Sequence, residues 1–340
     1  MKPDQLDCAI LKKIHLIFLF FAGFVFFLNA PKFIYFYICL DVTDSNLMDA
    51  VITYVNGNDP VWKRDYEIYT NIPVMEKRFR DWGTLKYLLR GIETKMPFIR
   101  NVYLVVSHHS QVPEWADTAN LKVVLHKDII PEEYLPVFNS NPIELHLHRI
   151  PDLDEEYLYF NDDMFPVGEF KPDDFFREGR GVIGMYSHYI SSNMYKKICR
   201  KSDQVARRAA GKSNSISFLR PQHICSPMRK SVCSELYGMH LPEIEDTSRC
   251  RLRSESNVCQ YVYLDYMYHK GLIIPEKISN KHFSVAVASS RKLDDFLRNP
   301  YRKMVCINDV RLSEKRFQVL HRAIVSAFES IFPQKSRFEK

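Results

Sequence analysis

The chain has 340 residues, 46% of them in the hydrophobic set and 26% charged, with 11 Gly and 18 Pro; this composition excludes collagen-like, low-complexity and wholly disordered chains. A chain of this length buries a sizeable core of its own and needs no staples. Its net charge of +6 suits an anionic ligand or a membrane surface and is too weak to point to nucleic acid.

The first element is an apolar front. Lys12 and Lys13 precede a run from Ile14 to Leu28, a second run spans Phe33 to Leu40, and 8 of the 23 Phe lie between Ile14 and Leu40. The stretch is long enough to span a bilayer at about 20 residues. Three readings stand: a signal anchor, a one-leaflet hairpin broken at Asn29-Ala30-Pro31, or a misplaced start with the protein beginning at Met48. A cleaved signal peptide is disfavoured, because no A-x-A-like site follows the run. Residues 1–47 hold four Lys and four Asp, so the body from Met48 keeps the whole charge.

In the body, Asp49–Val55 (DAVITYV) is rich in β-branched residues and ends at Asn56-Gly57-Asn58-Asp59-Pro60, so it reads as a buried strand followed by a loop. Arg80–Thr94 carries Leu85, Leu88, Leu89 and Ile92 at helical spacing and predicts an amphipathic helix. Asn101–Ser107, Leu121–His126 and Tyr157–Phe160 predict three further strands, the last ending at Asn161-Asp162-Asp163. Strands separated by helical stretches predict a parallel α/β sheet, in which ligands collect beyond the carboxyl ends of the strands, where both polar loops lie.

Lys196–Lys212 then holds seven basic residues against Asp203. It reads either as a solvated helix face or as a contact with an anionic acceptor or membrane. Ser226–Tyr237 and Asn257–His269 are expected to be helical, Ala286 to lie in a strand, and Ser313–Phe332 to form a closing helix. The expected organisation is one catalytic domain over 48–340 with a helical, basic insertion at about 190–260. The eight Cys show no C-x-x-C pair and no zinc-type spacing, so buried reduced thiols in a cytosolic domain are expected over four disulfides.

Asn161-Asp162-Asp163 offers hard oxygen donors of the kind that hold Mg²⁺ or Mn²⁺ on a diphosphate; the same pair also makes turns and caps. Arg78, Arg80 and Arg90 have the chemistry to hold phosphate and equally that of surface ion pairs. His223 is a base candidate or a structural histidine. Arg253 with Glu255, and Asn308 with Asp309, are polar pairs that spacing alone does not select.

In order along the chain, DAVITYVNGNDP from Asp49, RFRDWGTLKYLLRGIETKMPFIR from Arg78, LPVFNSNPIELHLHRIPDLDEEYLYFNDDMF from Leu135, HICSPMRKSVCSEL from His223 and CIND from Cys306 resemble the motif blocks of the Stealth family of capsular and exopolysaccharide phosphotransferases. These are related to the animal enzyme that places N-acetylglucosamine-1-phosphate on mannose glycans. Asn56 stands where many members have Asp, and Tyr54 where Trp is frequent.

The resemblance implies an α/β fold with a mainly parallel sheet of nucleotide-sugar transferase (GT-A-like) type and an inserted helical part. It implies transfer of a hexose-1-phosphate from a UDP-sugar to a glycan hydroxyl, with release of UMP. A metal-dependent glycosyltransferase releasing UDP is the alternative, and a catalytically idle glycan- or membrane-binding module a third. On this reading Asp162 and Asp163 bind metal with Asn308 and Asp309, His223 competes as base, and Arg253 clamps phosphate. Asn56, Gly57, Asn58 and Asp59 form the nucleotide loop, while Arg78, Arg80, Asp81, Arg90, Asn139, Asn141 and Glu255 contact substrate. Mg²⁺ or Mn²⁺ is the implied cofactor, and the implied partners are a nucleotide-sugar donor and a capsular polysaccharide acceptor. The expected place is the cytoplasm, at the inner face of the plasma membrane if the front segment contacts it.

Overall fold

A computed structural model describes residues 47–74, 79–308 and 312–340. The Phe-rich front, with its three readings, and the candidates Arg78 and Asp309 lie outside the described residues. Among the described residues no helix is long and apolar enough to cross a membrane.

Strand β1 (Met48–Thr53) runs into a loop and helix α1 (Pro60–Thr70). Helix α2 (Leu85–Lys95) leads to β2 (Ile99–Val106), and β3 (Leu121–Leu125) follows. Helix α3 (Ser140–His146) precedes β4 (Glu156–Asn161) and the short β5 (Met164–Pro166). Beyond these lie β6 (Met185–His188), α4 (Met194–Ala209), β7 (Phe218–Pro221), β8 (Ser226–Arg229) and α5 (Lys230–Tyr237). The chain finishes with α6 (Tyr261–His269), β9 (Asn280–Ser284), β10 (Met304–Asn308) and α7 (Glu314–Ile331).

The main sheet has the order β8-β4-β1-β2-β3. Strands β4, β1, β2 and β3 are parallel, and only the edge strand β8 is antiparallel, so the expected mainly parallel α/β fold is present. Helices cover the faces of such a sheet, which is why β1 reads as a near-continuous apolar run and is buried along its length. From β1 the chain adds β2 and β3 on one side and then returns to place β4 on the other. The strand order therefore reverses between β1 and β4, and a crevice at such a switch point is where α/β sheets bind ligands. Thr53 pairs in register with Asn161, so the loops after β1 and β4 leave the sheet side by side. A second sheet joins β9, β10 and β5 in that order, and brings Cys306 and Asn308 next to the loop after β4.

Several local expectations are corrected. The helix expected from Arg80 begins at Leu85, because Asp81 accepts the Gly83 amide at 2.8 Å and Gly83 has φ +63°, a left-handed turn that an α-helix does not contain. The helix expected over Ser226–Tyr237 divides: Ser226–Arg229 forms the edge strand, with Pro227 opposite Leu158, and α5 starts at Lys230. An edge strand is where a sheet tolerates the missing proline amide. Helix α6 starts at Tyr261, four residues after its expected beginning. Ala286 lies past the end of β9, where the Val287 and Ala288 amides turn back onto the Ser284 carbonyl. The six described cysteines are free thiols, all but Cys250 buried. Residues 190–260 contain α4 and α5 with β7 and β8 between them.

Candidate active site

A cleft of about 930 Å³ opens beyond the carboxyl end of β4. Asp162 and Asp163 line it, with Asn141, His223, Arg253 and Asn308 around them. The same two aspartates also line a smaller cavity of about 160 Å³, walled by Tyr54, Arg80 and Asp81. The acidic pair thus stands between two spaces, which follows from its position where β4 ends and the chain turns into β5.

Asp163 is anchored through its backbone: its carbonyl accepts the Ile307 amide at 2.9 Å. Its side chain is less occupied. Cys306 Sγ donates to Oδ2 at 3.4 Å, whereas Oδ1 is buried with no hydrogen-bond partner. Burial, then the Asp163 charge, pushes the Cys306 thiol well above its ordinary range. On the other side, burial and then Asp81 push the Tyr54 hydroxyl upward, with Asp162 adding to the effect; Tyr54 is therefore a neutral hydroxyl beside the acids.

His223 follows β7, and Asn280 Nδ2 donates to its carbonyl at 3.2 Å. Its Nδ1 pairs with the Tyr261 hydroxyl at 3.2 Å, and Tyr195 donates to that same hydroxyl at 3.1 Å. Arg253 is exposed at the rim and donates to Ser140 Oγ at 2.6 Å. Asn141 Nδ2 is buried without a partner, a donor available to a ligand oxygen.

The remaining candidates stand apart from the cleft lining. Arg90 is bidentate to Glu339, at 2.7 and 2.6 Å, and donates to the Phe332 carbonyl; its guanidinium ties α2 to the chain's last residues. Glu255 is exposed and paired with Lys197 at 2.7 Å. Asn139 caps α3 through the Asn141 amide and donates to Asn257 at 2.9 Å. Arg80 reaches Glu314 at 2.9 Å and lies over the Phe317 ring.

In the loop after β1, Asn56 Oδ1 accepts the Asn58 amide and Gln111 brackets the Asn56 backbone. Asp59 caps α1 on the Val61 and Trp62 amides at 2.7 and 3.1 Å. Gly57 has its backbone against Phe79, where an added Cβ would meet the carbonyl oxygen at 1.9 Å. These side chains shape the loop. The basic run of α4 is also largely engaged: Lys197 pairs with Glu255, Lys201 and Arg208 with Glu243, and Arg207 with Asp203.

Residue-level reading missed several members of the cleft. Glu144 on α3 is 4% exposed and takes the Gln260 amide at 3.2 Å and the Tyr159 hydroxyl at 3.4 Å. Tyr159 in turn accepts from Asn161 Nδ2 at 3.2 Å, so Glu144 holds the first residue of the acidic turn at one remove. Burial raises the Glu144 carboxyl while Arg253 opposes the shift. Its signal was present: an acid between Ile143 and Leu145 on a short helix. Tyr195, Tyr261 and His282 carried no such mark, because only long-range packing brings them here.

Residues 78–183 match the family model described as Stealth protein CR2, conserved region 2. The chain is 30% identical to an exopolysaccharide phosphotransferase, cps2G, of Lactiplantibacillus plantarum, over 86% of this chain and 96% of that protein. It is 30% identical to the receptor polysaccharide phosphotransferase WefC of Streptococcus oralis, over 86% and 99% of the two chains, and 29% identical to the capsular polysaccharide phosphotransferase WcwK of Streptococcus pneumoniae, over 87% and 99%. Among solved structures, the galactosyltransferase LgtC matches with a TM-score of 0.35 and 13% identity, covering 81% of this chain and 96% of that one.

Proposed function

Because this chain belongs to the Stealth family of capsular and exopolysaccharide phosphotransferases, we propose that it transfers a hexose-1-phosphate from a UDP-sugar to a hydroxyl of a growing surface polysaccharide, forming a phosphodiester and releasing UMP. The observation that carries this reading is the meeting of Asp162 and Asp163 with His223, Arg253 and Asn141 around one cleft at the switch point of the sheet. Attack at phosphorus leaves the C1–O bond of the sugar intact, so the anomeric configuration is kept.

The donor set fits a hard divalent ion. Asp162 and Asp163, one of them with a buried carboxylate oxygen that has no protein partner, and Asn308 are the groups that would hold Mg²⁺ or Mn²⁺. When bound, such an ion neutralises negative charge on the diphosphate. The protein's own groups do the rest. His223, with Nδ1 turned to Tyr261, has Nε2 left to take the proton of the acceptor hydroxyl. Arg253 at the rim holds phosphate oxygens, and the free Asn141 amide orients a sugar or phosphate oxygen. The loop after β1 contributes its backbone shape beside the acids.

The test is incubation of the chain with Mg²⁺, a panel of UDP-sugars and capsule fragments, followed by nucleotide analysis. UMP is the expected product, and UDP would replace this reading with glycosyl transfer. Chelation should abolish turnover and Mg²⁺ or Mn²⁺ restore it; full activity in chelator removes the metal. Full turnover after His223→Ala removes His223 as base.

A further inference from the structure

At the edge of the cleft, Asp163 and His223 of its lining stand beside the buried Cys306, a donor set that a hard ion does not explain. Cys306 on β10 pairs across the small sheet with Met164, which sets its thiol beside Asp163, 3.4 Å from Oδ2. His223 arrives from β7. One ligating atom from each of Asp163, His223 and Cys306 lies within 4.8 Å of the others. Asp163 Oδ1 is buried without a partner, and Tyr261 occupies His223 Nδ1, which leaves Nε2 as the coordinating nitrogen in the arrangement that metal-bound histidines use.

A carboxylate, an imidazole and a thiolate are zinc ligands, whereas Mg²⁺ and Mn²⁺ prefer oxygen. Around tetrahedral Zn²⁺ neighbouring donor atoms lie about 3.5 Å apart, and the Cys306–Asp163 pair already has that spacing. Three protein ligands leave a fourth position open toward the cleft.

We propose that Asp163, His223 and Cys306 form a capture site for a thiophilic divalent ion, Zn²⁺ by its chemistry, and that occupancy blocks the enzyme by removing one arm of the acidic pair and the histidine from the reaction. Binding breaks the Cys306 S–H bond, releases that proton to solvent and forms the metal–sulfur bond, with no change of oxidation state. The binding half stands by itself; the blocking half rests on the phosphotransfer reading.

The metal-free full chain is titrated with Co²⁺ alone. One equivalent should produce a thiolate-to-cobalt charge-transfer band in the near ultraviolet, which Zn²⁺ then erases by displacement and which Cys306→Ser lacks. No band in the native chain, or an undiminished band in Cys306→Ser, overturns the site. Should that variant fail to fold, zinc-edge absorption of the native chain carries the same test, with one sulfur neighbour at about 2.3 Å expected and an all-oxygen-and-nitrogen shell overturning it. In the Mg²⁺-supported reaction Zn²⁺ should inhibit, and Cys306→Ser should raise the half-inhibiting concentration about 100-fold; equal inhibition overturns the blocking half. A chain that gives the band yet turns over no donor supports the site and sinks the proposed function instead.

Discussion

Two polar loops leave neighbouring strands at the same end of the sheet, one reading Asn-Gly-Asn-Asp after β1 and the other Asn-Asp-Asp after β4. In the first, Asn56 closes a turn and Asp59 caps α1 through Oδ1, while Asp59 Oδ2 is buried without a partner. In the second, Asp162 and Asp163 face two cavities, and one Asp163 oxygen has no partner at all. Composition and position are nearly the same, and each loop leaves one buried carboxylate oxygen without a partner, so what separates scaffold from reagent is that Asp162 and Asp163 line the cleft. A buried acceptor that costs about 1–3 kcal/mol while unsatisfied is within a ligand's reach where its carboxylate lines a cleft, as that of Asp163 does.

Substitutions in the two loops should therefore fail differently. The largest effect is expected for Asp163→Asn, which should lower kcat about 10³-fold, roughly 4 kcal/mol of transition-state stabilisation, with little change in melting temperature; a large thermal shift with kcat retained would make Asp163 scaffold. Gly57→Ala should do the reverse. Its Cβ would press on the Phe79 carbonyl, costing about 3 kcal/mol, so thermal melting should drop by several degrees while the folded fraction keeps its specific activity.

Acid provides a control, since neither loop contains a histidine. Burial pushes His146 down to about 4 and His148 to about 3, from 6.5. For a base depressed in the folded state, the unfolded chain takes the proton first. Stability is therefore full above about pH 6.5 and lost as pH falls toward those values, by about 2 kcal/mol per histidine at pH 5. Melting at pH 7 and pH 5 should show this drop equally in both loop variants, and His148→Asn should shrink it. The smallest effect is expected for Asp59→Ala, about 1 kcal/mol of lost capping, read by denaturant unfolding; a kcat loss larger than the loss of folded protein would move Asp59 from the frame to the reaction.

Much of this was legible in the residues. The β-branched run at Met48, the apolar spacing of Leu85 to Ile92 and the aromatic strand ending in Asn-Asp-Asp each encode a local structure, since side-chain period and turn chemistry act over a few residues. The start of α2 was misjudged because Asp81 and Gly83 form a turn within a sequence that keeps helical spacing. The edge strand at Ser226 was missed because its pairing partner, β4, supplies the reason for it. Arg90 looked like a phosphate ligand until Glu339, 249 residues away, claimed its guanidinium.

Sequence alone determined the parallel α/β framework, the carboxyl-end position of both polar loops and the family, because periodicity, loop chemistry and motif order are written in consecutive residues. Only the tertiary structure decided which of those loops lines the cleft, that Glu144 and Tyr159 support it while Tyr261 holds His223, and that a cysteine and a histidine 83 residues apart in the chain stand beside the same aspartate. The physical reason is that a side chain's availability depends on whether another group has already satisfied it, and the groups that do so come from distant strands and helices.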